Sequence, residues 1–80
     1  MSTTILAILR QLILSLDDEE GVPIMTYHAI ADLAVIGLGS ASVKVLNNAT
    51  PFQDGRAFLK EGEGEEIWER MVQVMDFGNP

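Results

Sequence analysis

The sequence predicts an α+β domain in which two N-terminal helices, a short β-hairpin and a C-terminal helix surround one small core. Apolar residues recur at helical spacing near both ends, and β-branched residues alternate in the middle. A chain of 80 residues buries one core, so residues 1–80 are expected to form a single domain. Because 48% of the residues are hydrophobic and none is cysteine, apolar packing must hold that core without disulfides.

The first helix is predicted to end near Leu16. Apolar residues recur before that point at three- and four-residue spacing, namely Ile5, Leu9, Leu12 and Leu16. Because the helix is apolar on most sides, we expect it either in the core or partly in a homodimer contact. The four acids that follow would oppose the negative end of the helix dipole, and Gly21 and Pro23 mark a break.

The second helix is predicted to begin at Thr26, whose hydroxyl is suited to accept from an early backbone N–H. It is predicted to stop at Gly37 and Gly39, since glycine readily takes the left-handed conformation that closes a helix. The residues expected to face the core are Ile30, Leu33, Ala34 and Ile36.

Two interpretations compete for residues 40–48. One is a short helix with Val43 and Leu46 inward, and the other is a strand with Val43 and Val45 on one face. The alternating β-branched residues favour the strand. Turn-forming residues follow, so we expect a hairpin between this strand and a second one over residues 56–60.

The C-terminal helix is the most regular element in the pattern. Glutamates suit its positive N-terminal end, and Gly78 and Pro80 mark its stop. Its apolar positions repeat at helical spacing and comprise Ile67, Met71, Val74 and Met75.

Enzymatic and membrane functions find little support in the sequence. His28 is the single histidine, and no nucleophile, metal-ligand or phosphate-loop motif accompanies it, so we expect no catalysis, metal or cofactor. The most apolar run, residues 3–16, is too short to span a bilayer and has no basic leader. We therefore expect a cytoplasmic protein.

The acids are the most uneven feature of the sequence. The formal net charge is −7, and ten of the twelve acids fall within residues 17–20 and 61–76. One interpretation is that these acids serve solubility alone. The other is that they bind a partner, because spaced carboxylates can replace phosphates in a groove lined by Lys and Arg. The predicted function is therefore docking on a basic nucleic-acid-binding protein, and the predicted contact residues are Asp17, Asp18, Glu19, Glu20, Glu61, Glu63, Glu65, Glu66 and Glu69.

A resemblance suggests an alternative. Residues 30–34 (Ile-Ala-Asp-Leu-Ala), Gly37, residues 40–47 and residues 54–57 (Asp-Gly-Arg-Ala) together resemble the winged helix-turn-helix of multiple-antibiotic-resistance regulators. The resemblance implies that Lys44 and Asn47 face the major groove of DNA and that Arg56 reaches the minor groove from the wing. Because the five bases are scattered and form no basic stripe, direct nucleic-acid binding remains the second hypothesis.

In size and charge the chain is similar to the small acidic phage-encoded inhibitors of bacterial defence systems, the anti-CRISPR proteins among them. That similarity implies a host-cytoplasmic inhibitor that sits on a CRISPR effector subunit and blocks either the binding of target DNA or the recruitment of the nuclease.

Overall fold

A computed structural model describes residues 3–60 and 62–75 of the chain. In these residues four helices accompany a small antiparallel sheet, which confirms the predicted α+β class but with one more helix than expected. The elements in chain order are α1 (Thr3–Ser15), β1 (Val22–Pro23), α2 (Ile24–Leu38), α3 (Ser40–Ala49), β2 (Phe52–Gln53), β3 (Arg56–Ala57) and α4 (Gly64–Gln73).

Helices α1 and α3 each pack against both α2 and α4. The core between them is apolar and includes, as fully buried side chains, Leu9, Ile13, Leu16, Ile30, Leu38, Leu46 and Met71. The apolar stripe of α1 therefore lies inside the fold, as the core interpretation predicts. Ile8 is the large apolar residue of α1 that stays exposed.

The sheet has the order β1-β3-β2, with β3 in the centre and both pairings antiparallel. Strands β2 and β3 form a hairpin around Asp54 and Gly55, which both have positive φ (54° and 76°). This two-residue Asp-Gly turn has the backbone twist that matches antiparallel strands. The sheet meets α2 at the hairpin, since the N–H of Ile24 donates to the carbonyl oxygen of Gly55 at 2.9 Å.

The strand predicted over residues 40–48 is wrong, because this segment is helix α3. As a helix it buries Ser42 and Leu46, one turn apart, on a single face that packs on α2 and α4. A strand would place Leu46 on the same face as the charged Lys44, whereas the helix buries Leu46 and leaves Lys44 exposed. Tertiary packing therefore outweighs the preference of β-branched residues for strands. The strand at 56–60 is shortened to Arg56–Ala57, and it pairs with Phe52–Gln53 instead.

Helix α2 begins earlier than predicted, and of its two predicted stops Gly39 is the one that closes it. It begins at Ile24 after Pro23, so Thr26 is not its cap, and it continues through Gly37. The helix ends at Leu38 and is capped by Gly39, which has φ 94° and donates its N–H to the carbonyl oxygens of Ala34 and Val35. Gly39 also precedes the first residue of α3, so a single glycine forms the turn between the two helices.

Two side chains expected in the core are exposed. Ile36 is 64% accessible because Gly37, not Ile36, faces α1, and Val74 lies one residue beyond the end of α4. The other residues predicted for the α4 stripe are buried or half-buried: Ile67, Met71 and Met75. Gly78 and Pro80, the predicted stop, lie outside the described residues.

Candidate functional site

The two acidic segments meet in the fold. Both carboxylate oxygens of Asp17 accept from the backbone N–H of Gly64 at 3.0 Å, across 47 residues of sequence. Asp17 thereby caps the start of α4, where a negative charge also suits the helix dipole. We call residues 17–20 together with Glu63, Glu65, Glu66 and Glu69 the acidic face.

Not every carboxylate of this face is free. Asp17 caps α4, and Asp18 accepts from the backbone N–H of Glu20 at 3.0 Å, which shapes the loop. Glu65 forms an ion pair with Arg10 of α1. The exposed acids with no such contact among the described residues are Glu19, Glu20, Glu66 and Glu69. Glu63 is half-buried, and Glu61 lies outside the described residues.

Arg56 borders the acidic face. Its guanidinium donates to the carbonyl oxygens of Glu20 at 2.7 Å and Gly21 at 3.3 Å. The side chain is therefore held against the loop that follows α1, and these two bonds must break before Arg56 can reach a ligand from the hairpin. Counting Arg10, Arg56 and the exposed Arg70 of α4 against the eight acids leaves the face at about −5, from eight minus three.

A second surface lies on α3 and the hairpin. Helix α3 contains no acid, and Lys44, Asn47 and Asn48 are exposed on it. Tyr27 of α2 donates its hydroxyl to Oδ1 of Asn47, and burial raises the pKa of this phenol. The phenol therefore stays protonated and keeps donating well above neutral pH.

The described residues include no group of three His, Cys, Asp or Glu side chains arranged to hold a metal ion. His28 is exposed on α2, with its ring 6.1 Å from that of Tyr27. No helix in the described part of the chain is both long and apolar enough to cross a membrane.

Sequence reasoning found the acidic segments but missed the contact that joins them. One signal was available: α4 starts at Gly64, and the residues just before it include no Ser, Thr, Asp or Asn to serve as a local cap. A helix start without a local cap leaves backbone N–H groups that a side chain from elsewhere in the chain can satisfy, as Asp17 does here. No pattern in the sequence indicates the contact between Tyr27 and Asn47, because it depends on α3, and the β-branched residues of that segment favour a strand.

Comparison with protein-family models gives no match. Comparisons with curated proteins and with solved structures give none either.

Proposed function

We propose that this chain is a non-enzymatic protein-binding domain that docks its acidic face on the basic, nucleic-acid-binding surface of another protein. The observation that carries the proposal is the contact between Asp17 and Gly64, which brings two acidic segments into one face. Four acids of that face, Glu19, Glu20, Glu66 and Glu69, are exposed and available to a partner.

The energetic basis is counterion exchange. A protein groove that holds nucleic acid has Lys and Arg side chains placed against phosphates, and bringing such charges together releases condensed ions. The carboxylates of the acidic face carry charge of the same sign as the phosphates, so they can take the place of the nucleic acid in such a groove. Binding of this kind excludes nucleic acid from the groove, so the chain would act as a stoichiometric inhibitor.

The most concrete form of this proposal is an inhibitor of the anti-CRISPR type. Its partner would be a basic subunit of a CRISPR effector, and its effect would be to block target DNA. The small size and the formal net charge of −7 support this form.

The test reverses exposed charges that have no structural contact. The double variants Glu19→Lys/Glu20→Lys and Glu66→Lys/Glu69→Lys are each expected to weaken the complex at least tenfold. Capture from source-cell lysate followed by mass spectrometry identifies the partner, and titration of the purified partner gives the affinity. The partner is expected to be a nucleic-acid-binding protein that duplex DNA displaces from the chain, with an affinity that falls as salt rises.

The matched control is Asp32→Lys/Ala29→Lys/Ala41→Lys, which makes the same change in net charge at exposed residues of α2 and α3, outside the acidic face. It should leave the affinity within about twofold of the parent, because long-range effects are screened beyond about 10 Å at 0.1 M salt. An affinity independent of salt, or an equal loss in the control, would contradict the proposal. Asp17 and Glu65 are left unchanged because their contacts support the fold.

A second candidate, a diverged winged helix-turn-helix regulator, is supported by the order of the elements. Two helices joined by a tight glycine turn and followed by a hairpin form the arrangement that such regulators use on DNA. In that role α3 would enter the major groove with Lys44 and Asn47. Arg56 would first have to leave the carbonyl oxygens that hold it.

A gel shift with the DNA upstream of the coding sequence tests this second candidate. At low salt we expect a shift that Lys44→Ala weakens by about tenfold, because Lys44 is the one base on α3. Lys60→Ala, which removes an exposed base outside α3 and the hairpin, is the matched control. The absence of a shift at low salt would rule out direct regulation of that DNA.

A further inference from the structure

Three side chains meet where α2, α3 and β2 come together, and we call them the α3–hairpin junction: Tyr27, Asn47 and Phe52. Tyr27 is buried and contacts both of the others. Its hydroxyl donates to Oδ1 of Asn47, and its ring lies edge-to-face with that of Phe52 at a centroid distance of 5.0 Å. Asn47 and Phe52 therefore both contact the side chain of Tyr27.

The hydrogen bond from Tyr27 determines what Asn47 offers to a ligand. Oδ1 of Asn47 is engaged, and no described residue accepts from its Nδ2 group. An amide nitrogen carries two hydrogens and accepts none. The exposed amide of Asn47 therefore presents donors, and Tyr27 holds it in that orientation.

Phe52 offers the junction an apolar surface. The side chain is 47% accessible although it packs on Tyr27, so much of its ring is open to solvent. An exposed ring beside a fixed amide donor can both stack on a planar ligand and bond to its edge. Lys44 lies one helical turn before Asn47 on α3, and both are exposed.

We propose that the α3–hairpin junction binds an unpaired nucleobase. Phe52 stacks on the base, Nδ2 of Asn47 donates to an acceptor on the base edge, and Lys44 approaches a phosphate. A single base on α3 offsets few phosphates, and Asp54 in the hairpin turn opposes them. Stacking, which needs no charge, must then supply most of the affinity, so single strands are favoured over duplex. This surface is separate from the acidic face of the proposed function.

Fluorescence anisotropy of labelled 12-nucleotide homopolymers (dT, dA, dC and dG) at low salt tests the proposal. We expect the parent to bind single strands more tightly than the dA–dT duplex and Phe52→Ala to lose about tenfold or more. We expect Lys44→Ala to weaken all four strands alike and to flatten the dependence on salt. Val35→Ala, at an α2 residue whose exposure (46%) is similar to that of Phe52, is the matched control and should bind as the parent does.

Tyr27→Phe tests whether Tyr27 orients Asn47 or only stabilises the fold, because this substitution removes the hydroxyl and keeps the ring. We expect Tyr27→Phe and Asn47→Ala each to reduce the differences in affinity among the four homopolymers. We expect the double variant Tyr27→Phe/Asn47→Ala to reduce them no further than either single variant. Thermal melts confirm that each variant is folded.

Tighter binding to duplex, no binding to any strand, or an unchanged affinity in Phe52→Ala would overturn the proposal. Unchanged base preference in Tyr27→Phe would overturn the role of Tyr27. None of these outcomes depends on whether a protein partner binds the acidic face, so the two proposals fail separately.

Discussion

Gly21→Ala is expected to destabilise the fold by about 3 kcal/mol, a large share of the roughly 4–12 kcal/mol typical of a domain of this size. Gly21 has φ +67°, which costs an L-residue about 1–2 kcal/mol. An added Cβ would also lie 2.5 Å from the carbonyl oxygen of Ala57 and 2.8 Å from the ring of Phe58. Since Ala57 is in the central strand, β1 and β3 must shift apart. Thermal unfolding should show a fall in Tm of about 12–24 °C.

Gly62→Ala is the matched control for this substitution. Gly62 also has positive φ (+82°), but nothing lies within 4 Å of the position that a Cβ would occupy. Its substitution therefore costs only the conformational part, about 1–2 kcal/mol. Equal losses in Gly21→Ala and Gly62→Ala would show that the close approach between Gly21 and β3 contributes nothing.

The elements that the sequence predicts well are those whose structure is determined by the residues of the element itself. Of the stripe predicted for the first helix, Leu9 and Leu16 are fully buried and Ile5 and Leu12 are half-buried, with Leu16 one residue beyond α1. Helix α4 begins with Glu65 and Glu66 in its first turn. Helical periodicity and the preference of acids for the positive end of a helix both act within one segment. The Asp-Gly turn is likewise local, because positive φ at both positions suits those two residues.

The elements that it missed depend on distant parts of the chain. Residues 40–49 have a weak local preference, and packing on α2 and α4 decides in favour of the helix. The sequence predicts a helix stop at Gly37, yet this residue is buried in α2, and a Cβ added there would lie 3.6 Å from both Ile5 and Leu6 of α1. That close approach explains a glycine within a helix, and no local pattern reveals it.

The candidate site shows the same division. The exposed acids of the acidic face were predictable, because a cluster of charge in sequence stays a cluster at the surface. Its continuity was not predictable, since it depends on Asp17 reaching Gly64 across 47 residues. The restraint of Arg56 by the carbonyl oxygens of Glu20 and Gly21 also required the fold. Of the three residues expected to contact DNA, Arg56 is held in this way and Asn47 accepts from Tyr27, so only Lys44 has no side-chain contact among the described residues.

Leu46→Ala is expected to cost about 2–5 kcal/mol, because Leu46 has no accessible surface and its removal leaves a cavity between α3 and its neighbours. Val45→Ala should cost less, since Val45 is half-buried, and Lys44→Ala should stay within about 0.5 kcal/mol. Urea unfolding measures all three, and an unchanged slope with denaturant confirms that the variants share one native state.

The order of these losses distinguishes the helix from the strand, because each places the same three residues differently. In a strand Leu46 and Lys44 lie on one face and Val45 on the other, so a core facing Val45 would make Val45→Ala the costliest substitution. In α3 Leu46 and Ser42 face inward together and Lys44 faces solvent. The largest loss at Val45 would therefore contradict α3. That result would also contradict the nucleic-acid-binding proposals, because they depend on Lys44 and Asn47 sharing the exposed side of α3.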